Sequence, residues 1–423
     1  MNERLLQYIW QQQLFNKDSL VTLKGEPLQI IHPGVLNRNQ GPDFLQASIR
    51  IGNTRWVGNI ELHVLSSHWV SHGHEKDEFY NNVILHVVWQ ADKDIVLRFP
   101  TLMLSNRVSM SLLNRYDQLS ASTGFIPCAN QISGVPAIIK ENFFERCFAE
   151  RLEAKARQIA ALLPQTNGSW DEVSWLMLAK QFGQPVNELA FGELAASLSW
   201  KTIARHRFNP IQIEALLFGQ TRLLQIKSSQ DYIMLLQKEY RFLRKKIKLF
   251  PIHFPLKFMR MRPANFPSVR LAQLAALIAR EPSLFNRIIQ LKNRSEVYAF
   301  FNLEISPYWQ YHYRPGDKEK FRPKHPGKSF CHHLIINLIA PLKFCHGLML
   351  NDDTEKAGAI NLLCQLPPED NCISRNFIRI GVKPVSAADT QALIHLKHHY
   401  CNQLKCLQCA IGHSIIKSSY NSQ

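Results

Sequence analysis

Residues 41–63 read GPDFLQASIRIGNTRWVGNIELH, and the alternation within them decides the fold of the first part of the chain. After Pro42-Asp43, the apolar residues Phe44, Leu45, Ala47, Ile49 and Ile51 recur at close to every second position. The pair Gly52-Asn53 supplies a tight turn, and Trp56, Val57, Ile60, Leu62 and Val64 resume a strand. The product is a hairpin with an acid at each end, Asp43 and Glu61. His63 lies two residues beyond Glu61 and so shares its face. Two carboxylates on sheet backbone suit Mg²⁺ or Mn²⁺, which prefer oxygen ligands, and phosphodiester hydrolysis is the chemistry such a site does best.

Outward from the hairpin, Glu3 to Phe15 carries apolar residues near helical spacing, and Leu28 to Ile31 is a short apolar strand. His72 to Asn82 is a polar helical or irregular segment, and Val83 to Trp89 reads as a buried strand. The order is helix, three strands, helix, strand. With Pro42-Asp43 and Glu61-x-His63 in place, it resembles the core of the PD-(D/E)xK nuclease superfamily over about the first 110 residues. The resemblance implies a restriction-endonuclease-like sheet with Asp43 and Glu61 as metal ligands. That superfamily usually has lysine where this chain has His63. A histidine binds a metal through its neutral ring or takes a proton near pH 7, but it is not a permanently charged clamp on phosphate. The plain alternative is a Pro-Asp turn, a solvated Glu and a strand-end His in an ordinary hairpin.

Just downstream, residues 67–77 (SHWVSHGHEKD) hold three histidines and two acids, and His86 follows on the next strand. In the expected fold this segment borders the acidic site, so His72, His74 or Asp77 would complete coordination or donate to a leaving oxygen. Otherwise it is a polar loop with exposed histidines.

The 423 residues exceed the size at which one core stops growing, so two or three domains are expected. The apolar fraction marks a globular chain with no apolar run long enough to cross a bilayer and no secretory leader, and a cytoplasmic location is the expectation. Nine cysteines without such a leader argue against a disulfide framework. Fifty Lys plus Arg against 33 Asp plus Glu give a net charge of +17, which favours a polyanionic partner, DNA first. Part of the excess lies at 238–262, KEYRFLRKKIKLFPIHFPLKFMRMR, where Arg241, Arg244, Lys245, Lys246, Lys248, Lys257, Arg260 and Arg262 are candidate phosphate contacts. Tyr240, Phe242, Phe250, Phe254 and Phe258 interrupt the charge, as stacking on single strands requires, unless they form the buried stripe of a basic helix.

Punctuation divides the rest. From Ala137 the pattern is helical: Glu141–Leu163, Asp171–Phe182, Glu188–Trp200, Pro210–Phe218 with Asn209 as cap and Gly219 as stop, and Val269–Ala279. Residues 300–330, rich in proline, read as an irregular connection. The expected class is α+β: an N-terminal mixed β-sheet with flanking helices at 1–125, a helical domain at 126–300, and a helical C-terminal region at 301–423.

That last region ends in HLKHHYCNQLKCLQCAIGH. Cys406-x-x-Cys409, with Cys401 five residues earlier, suits one tetrahedral site. The fourth ligand would be His398, His399, His413 or a cysteine remote in sequence, Cys331, Cys345, Cys364 or Cys372, and soft thiolates select zinc or an iron–sulfur cluster. The alternative is a helix that buries both cysteines as small apolar residues.

The GPDF and GNIELH runs, RPANFPSVRLAQLAAL, and YCNQLKCLQCAIG together resemble an uncharacterised bacterial family carried as a domain of unknown function. That resemblance implies a cytoplasmic protein and no established activity. Its members typically have Asn where this chain has His413. Two functions remain: a metal-dependent nuclease with Asp43, Glu61 and His63 at its site, or a non-catalytic nucleic-acid-binding or scaffold protein that keeps the fold.

Overall fold

The computed structural model describes residues 1–418. The chain divides into two compact units where three consecutive domains are expected. Unit 1 comprises Met1–Phe144, Asn376–Val382 and the segment from Leu396; unit 2 comprises Glu145–Arg375 and Lys383–His395. The class is α+β, a mixed sheet with flanking helices and then a mostly helical region.

In unit 1, the strands β1 (Leu28–His32), β2 (Val35–Leu36), β3 (Phe44–Ile51), β4 (Thr54–Leu65), β5 (Val83–Gln90) and β6 (Thr101–Met103) form one sheet. Its order is β1-β3-β4-β5-β6, with β2 also paired to β3. The pairings of β3 with β1, β2 and β4 are antiparallel, whereas β4–β5 and β5–β6 are parallel. The Gly52-Asn53 turn closes the β3–β4 hairpin, with Ile51 opposite Thr54 and Gly52 at φ +54°.

One irregularity in that hairpin positions the site. From the turn to Ala47 and Gly58 the register is regular, and continued unchanged it would bring Phe44 opposite Glu61. Instead Phe44 pairs with Ile60, so the next residue along the chain, Asp43, comes opposite Glu61. The extra residue is absorbed at Gln46, whose φ is +57° and whose N–H donates to Asn59 Oδ1 at 3.3 Å. A one-residue shift exchanges the faces of a strand. Phe44, Ile60, Leu62, Leu85 and Val87 are buried; alternation puts Glu61 and His63 on the other face of β4, and His86 is the register partner of Glu61 on β5.

The helix α1 (Glu3–Gln11) forms for local reasons: Asn2 caps it through its side chain, and Leu5, Leu6, Ile9 and Trp10 make one buried stripe. Trp10 Nε1 donates to the Pro33 carbonyl at 3.0 Å. After β4, the single-turn helix α2 (His68–Ser71) carries Trp69, which packs with Tyr80, Val83 and Phe99. Further along, α3 (Met110–Ser120) packs against a later helix of the same unit.

Unit 2 is built on one apolar core that includes Trp175, Phe182, Phe191, Phe218, Phe301 and Trp309. Helix α4 (Pro210–Gln220) has the expected Asn209 cap, whose side chain accepts from Gln212 N–H. It does not stop at Gly219. The Tyr240 ring lies where a side chain of Gly219 would project, 2.1 Å from the site of a Cβ, so the glycine serves close helix packing and not termination. That tyrosine belongs to α5 (Asp231–Ile247), a helix whose strongly charged sequence hides its buried stripe of Ile233, Leu236, Tyr240 and Leu243. Helix α6 (Pro267–Arg280) follows, and a two-stranded ribbon, His312–Arg314 with Asp317–Lys318, interrupts the expected irregular stretch.

The expectation that no apolar run reaches membrane-spanning length is corrected by Lys328–Leu350, a 23-residue helix with mean hydropathy 1.4 in its most apolar window. Ile335, Leu338, Ile339 and Leu342 of this helix are buried in the unit 2 core, and 67% of that window is buried. Its apolarity therefore matches a core position.

Gly58 begins the approach of β4 to β5. A Cβ there would lie 2.5 Å from Ile84 Cγ2 and 2.6 Å from the Asn82 carbonyl oxygen. Gly58→Ala is expected to destabilise unit 1 by about 1–3 kcal/mol, as overpacking generally does. Urea unfolding followed by tryptophan fluorescence measures this, and an unchanged midpoint would contradict it.

Candidate metal centre

On the face of β4 that carries Glu61 and His63, these two side chains meet His72 and His74, and Asp43 reaches Glu61 from the start of β3. Asp43 and Glu61 are joined through backbone: the Asp43 N–H donates to Glu61 Oε2 at 3.0 Å. Asp43 is held in turn, with Oδ2 accepting from Leu62 N–H at 3.0 Å and Oδ1 from Gln7 Nε2 of α1 at 2.7 Å. The other oxygen of Glu61, Oε1, lies 3.6 Å from His63 Nε2 and 3.4 Å from His74 Nε2. His63 Nε2 is also 3.2 Å from His72 Nδ1. Donor atoms of His63, His72 and His74 all lie within 4.8 Å of one another, the one such cluster among the described residues.

The expected pair Asp43 and Glu61 thus comes together with His63, His72 and His74. The converging donors, however, are one carboxylate and three imidazoles. Both oxygens of Asp43 already accept hydrogen bonds, and its amide fixes Glu61. Each of those oxygens keeps a further acceptor position, so Asp43 holds Glu61 in place without losing the capacity to ligate. The remaining accessory candidate, Asp77, caps a short turn by accepting from Phe79 N–H at 3.0 Å and does not enter the cluster.

Burial sets the protonation states. Desolvation raises the pKa of both Asp43 and Glu61, and for Glu61 the neighbouring Asp43 adds to the rise. Desolvation, then the surrounding histidines, push His63 down to about 2, and His74 is lowered by burial and by His72. His63 and His74 are therefore held neutral, the form that binds metals. One observation fits a cation in particular. His74 Nε2 is buried without a hydrogen-bond partner, because its approach to Glu61 Oε1 misses hydrogen-bond geometry. An orphaned ring nitrogen beside a carboxylate and two further imidazoles is a donor set for zinc or a similar transition metal; the magnesium expected from two carboxylates prefers oxygen ligands.

His86 supports this arrangement from beneath. Its Nε2 lies 2.9 Å from His63 Nδ1. For His63 Nε2 to ligate, His63 must carry its proton on Nδ1 and donate it to His86, the second contact that ligating histidines ordinarily make. His86 also lines a cavity of about 200 Å³ with Ser66, Asp92, Lys93 and Thr101. Neither Gln7 nor the supporting role of His86 is apparent in the sequence, although the position of His86 directly across a parallel ladder from Glu61 is the signal that a correct strand register would have exposed.

A family model described as a protein of unknown function, DUF2851, matches residues 3–372. The chain belongs to that family. No curated protein and no solved structure matches it, so the nuclease-like reading of this DUF2851 sheet rests on its residues alone.

Other candidates of the DUF2851 chain fall as follows. Arg241, Arg244, Lys245, Lys246, Lys248, Lys257, Arg260 and Arg262 are all exposed. Among the described residues, no carboxylate forms an ion pair with any of them. Of the interleaved aromatics, Tyr240 is core, Phe258 packs edge-on against Phe266, and Phe242, Phe250 and Phe254 are exposed. Cys401, Cys406 and Cys409 line one small cavity together with Cys128, which the sequence does not single out; His399 and His413 do not line it. His413 packs edge-on against Tyr8. The family match ends before these three cysteines.

The buried histidines give a pH test. Burial, then His74, push His86 from its ordinary 6.5 to about 4. Between those values the unfolded chain binds more protons than the folded one. Stability supplied by His86 is therefore complete above pH 6.5 and lost as pH falls towards 4, by up to about 3 kcal/mol. Unfolding in chelator from pH 7 to 4 should show that loss, flattened in His86→Phe. Equal slopes in the two proteins would refute the assignment.

Proposed function

We propose that this chain is a divalent-metal-dependent phosphodiesterase acting on DNA in the cytoplasm, with Glu61, His63, His72 and His74 holding the cation and Asp43 positioning Glu61. The observation that carries the reading is the orphaned His74 Nε2 within a cluster of three imidazoles beside the Glu61 carboxyl group. When bound, such a cation supplies a Lewis acid for the phosphate oxygens and lowers the pKa of attacking water. The chain's own residues do the remaining work. Asp43, braced by Gln7 and the Leu62 amide, fixes the orientation of Glu61. His86 fixes the ring orientation of His63. His72, exposed at the rim of the cluster, leaves the cation open to a substrate from that side. The exposed cations of 238–262, with Phe242, Phe250 and Phe254 standing out among them, supply the phosphate contacts and stacking surfaces that a nucleic acid needs. That surface would equally serve the second reading, a nucleic-acid-binding protein that performs no chemistry.

Single-stranded, duplex and branched DNA incubated with Zn²⁺, Mn²⁺ or Mg²⁺ separate the two. The expected result is cleavage that needs a divalent ion, is strongest with Zn²⁺ or Mn²⁺, and falls by about 100-fold or more in Glu61→Gln and His63→Ala while the folded circular dichroism is kept. Binding without cleavage under every condition would leave the second reading. Affinity should also fall steeply with salt, and replacing Lys245, Lys246 and Lys248 with Ala should flatten the log–log slope by about 0.7–0.9 for each phosphate that is no longer neutralised. A slope unchanged in the triple variant would remove 238–262 from the interface.

A further inference from the structure

We propose that Cys128, Cys401, Cys406 and Cys409 are the four ligands of one structural zinc ion, a centre built from residues other than those of the histidine site. Four sulfur side chains from two segments far apart in sequence line the same cavity. Its other walls come from Pro127, Tyr400, Lys405 and Gly412. Burial, and then the neighbouring thiols of the same cavity, raise the pKa of Cys128, Cys401 and Cys406. No histidine and no carboxylate lines the cavity, so the donor set is sulfur alone, which selects zinc or iron over magnesium. The space enclosed is about 10 Å³, the room of one water-sized body. It suits a single ion and is too small for a cluster of several irons and sulfides.

The backbone around these cysteines is shaped to present them. A wide helical turn, Leu396–Cys401, delivers Cys401. The chain then reverses at Leu404, whose φ is +51°, with Lys405 N–H donating to the Tyr400 carbonyl at 3.0 Å. Cys406–Gln408 forms one tight turn, and Cys409 caps helix α7 (Ala410–Lys417). The two cysteines therefore do not share one helix face, as simple burial in a helix would require. Gly412 explains the Cys-x-Ile-Gly order: a Cβ there would lie 2.3 Å from the Cys406 carbonyl oxygen, so only glycine lets α7 lie against the turn. The four sulfurs do not form a group of donors within 4.8 Å of one another as the imidazoles do, so loading would draw the thiols inward around the ion. Loading releases the proton of each thiol, leaving a zinc tetrathiolate of charge −2. Lys405 in the cavity wall and Lys397 beside Cys401 offset part of that charge.

Such an ion would tie the segment 401–409 to the loop at Cys128, and its binding energy would be folding energy for unit 1. The full chain, purified without chelator, is tested by elemental analysis and by cobalt substitution. The expected result is one equivalent of zinc that survives in His74→Ala and is lost in Cys128→Ser, and an intense near-ultraviolet sulfur-to-cobalt band in the cobalt-loaded wild-type protein. The cobalt spectrum needs no variant and so stands even where Cys128→Ser fails to fold. A cobalt protein without thiolate bands, or with the same zinc content in foldable Cys128→Ser, would overturn the proposal. Iron with acid-labile sulfide would overturn the single-ion assignment.

Discussion

The hydrogen bond from the Asp43 amide to the Glu61 carboxylate is the contact on which the site in unit 1 depends. Glu61, His63 and His86 are nearly inaccessible on one face of two paired strands, and a buried carboxyl without partners costs several kcal/mol. The backbone amide of Asp43 meets part of that cost, and Asp43 itself is satisfied by Gln7 and Leu62. The remaining oxygen of Glu61 faces imidazoles. Trp69, Tyr80 and Phe99 wall the cluster from the side, with Trp69 stacked edge-on to His74 and His86. Apolar walls strengthen every electrostatic interaction inside them and disfavour the charged forms, and they account for the displaced acid and base equilibria of Glu61, His63 and His86.

What the sequence discloses is local. The hairpin, its Gly52-Asn53 turn, the buried strand Val83–Gln90 and the Asn209 cap all rest on neighbours within a few residues, and those appear at their expected places. The meeting of Asp43 with Glu61 is suggested by superfamily resemblance, but the device that achieves it is not visible, because Gln46 has no preference that announces a left-handed conformation. The histidines at 72 and 74 could be placed near Glu61 because the crossover from β4 to β5 is short. Cys128 could not be associated with Cys401, because the pairing depends on a fold in which almost all of unit 2 intervenes. Helix α5 answers the question left open at 238–262: that stretch begins as a basic-faced helix that buries Tyr240 and Leu243, while Phe242 stays exposed.

The two donor sets in unit 1 differ in the way their chemistry predicts. The histidine cluster is assembled mainly from one contiguous stretch, residues 61–74, on a strand and the short helix that follows it. The cysteine cluster joins segments at opposite ends of the sequence. The first keeps an exposed member, His72, whereas the cysteines enclose a small cavity between segments distant in sequence.

The interleaving of the two units has a consequence for synthesis. Unit 1 begins to emerge first, yet its last segment, from Leu396, follows only after nearly all of unit 2 is translated. At about 5–20 residues per second that wait lasts tens of seconds. During it the loop bearing Cys128 has no partner segment, and the thiol meets the reducing pool, nascent-chain chaperones and any passing metal before its own companions exist. Cys128 thus meets the three cysteines of its cavity only near the end of synthesis.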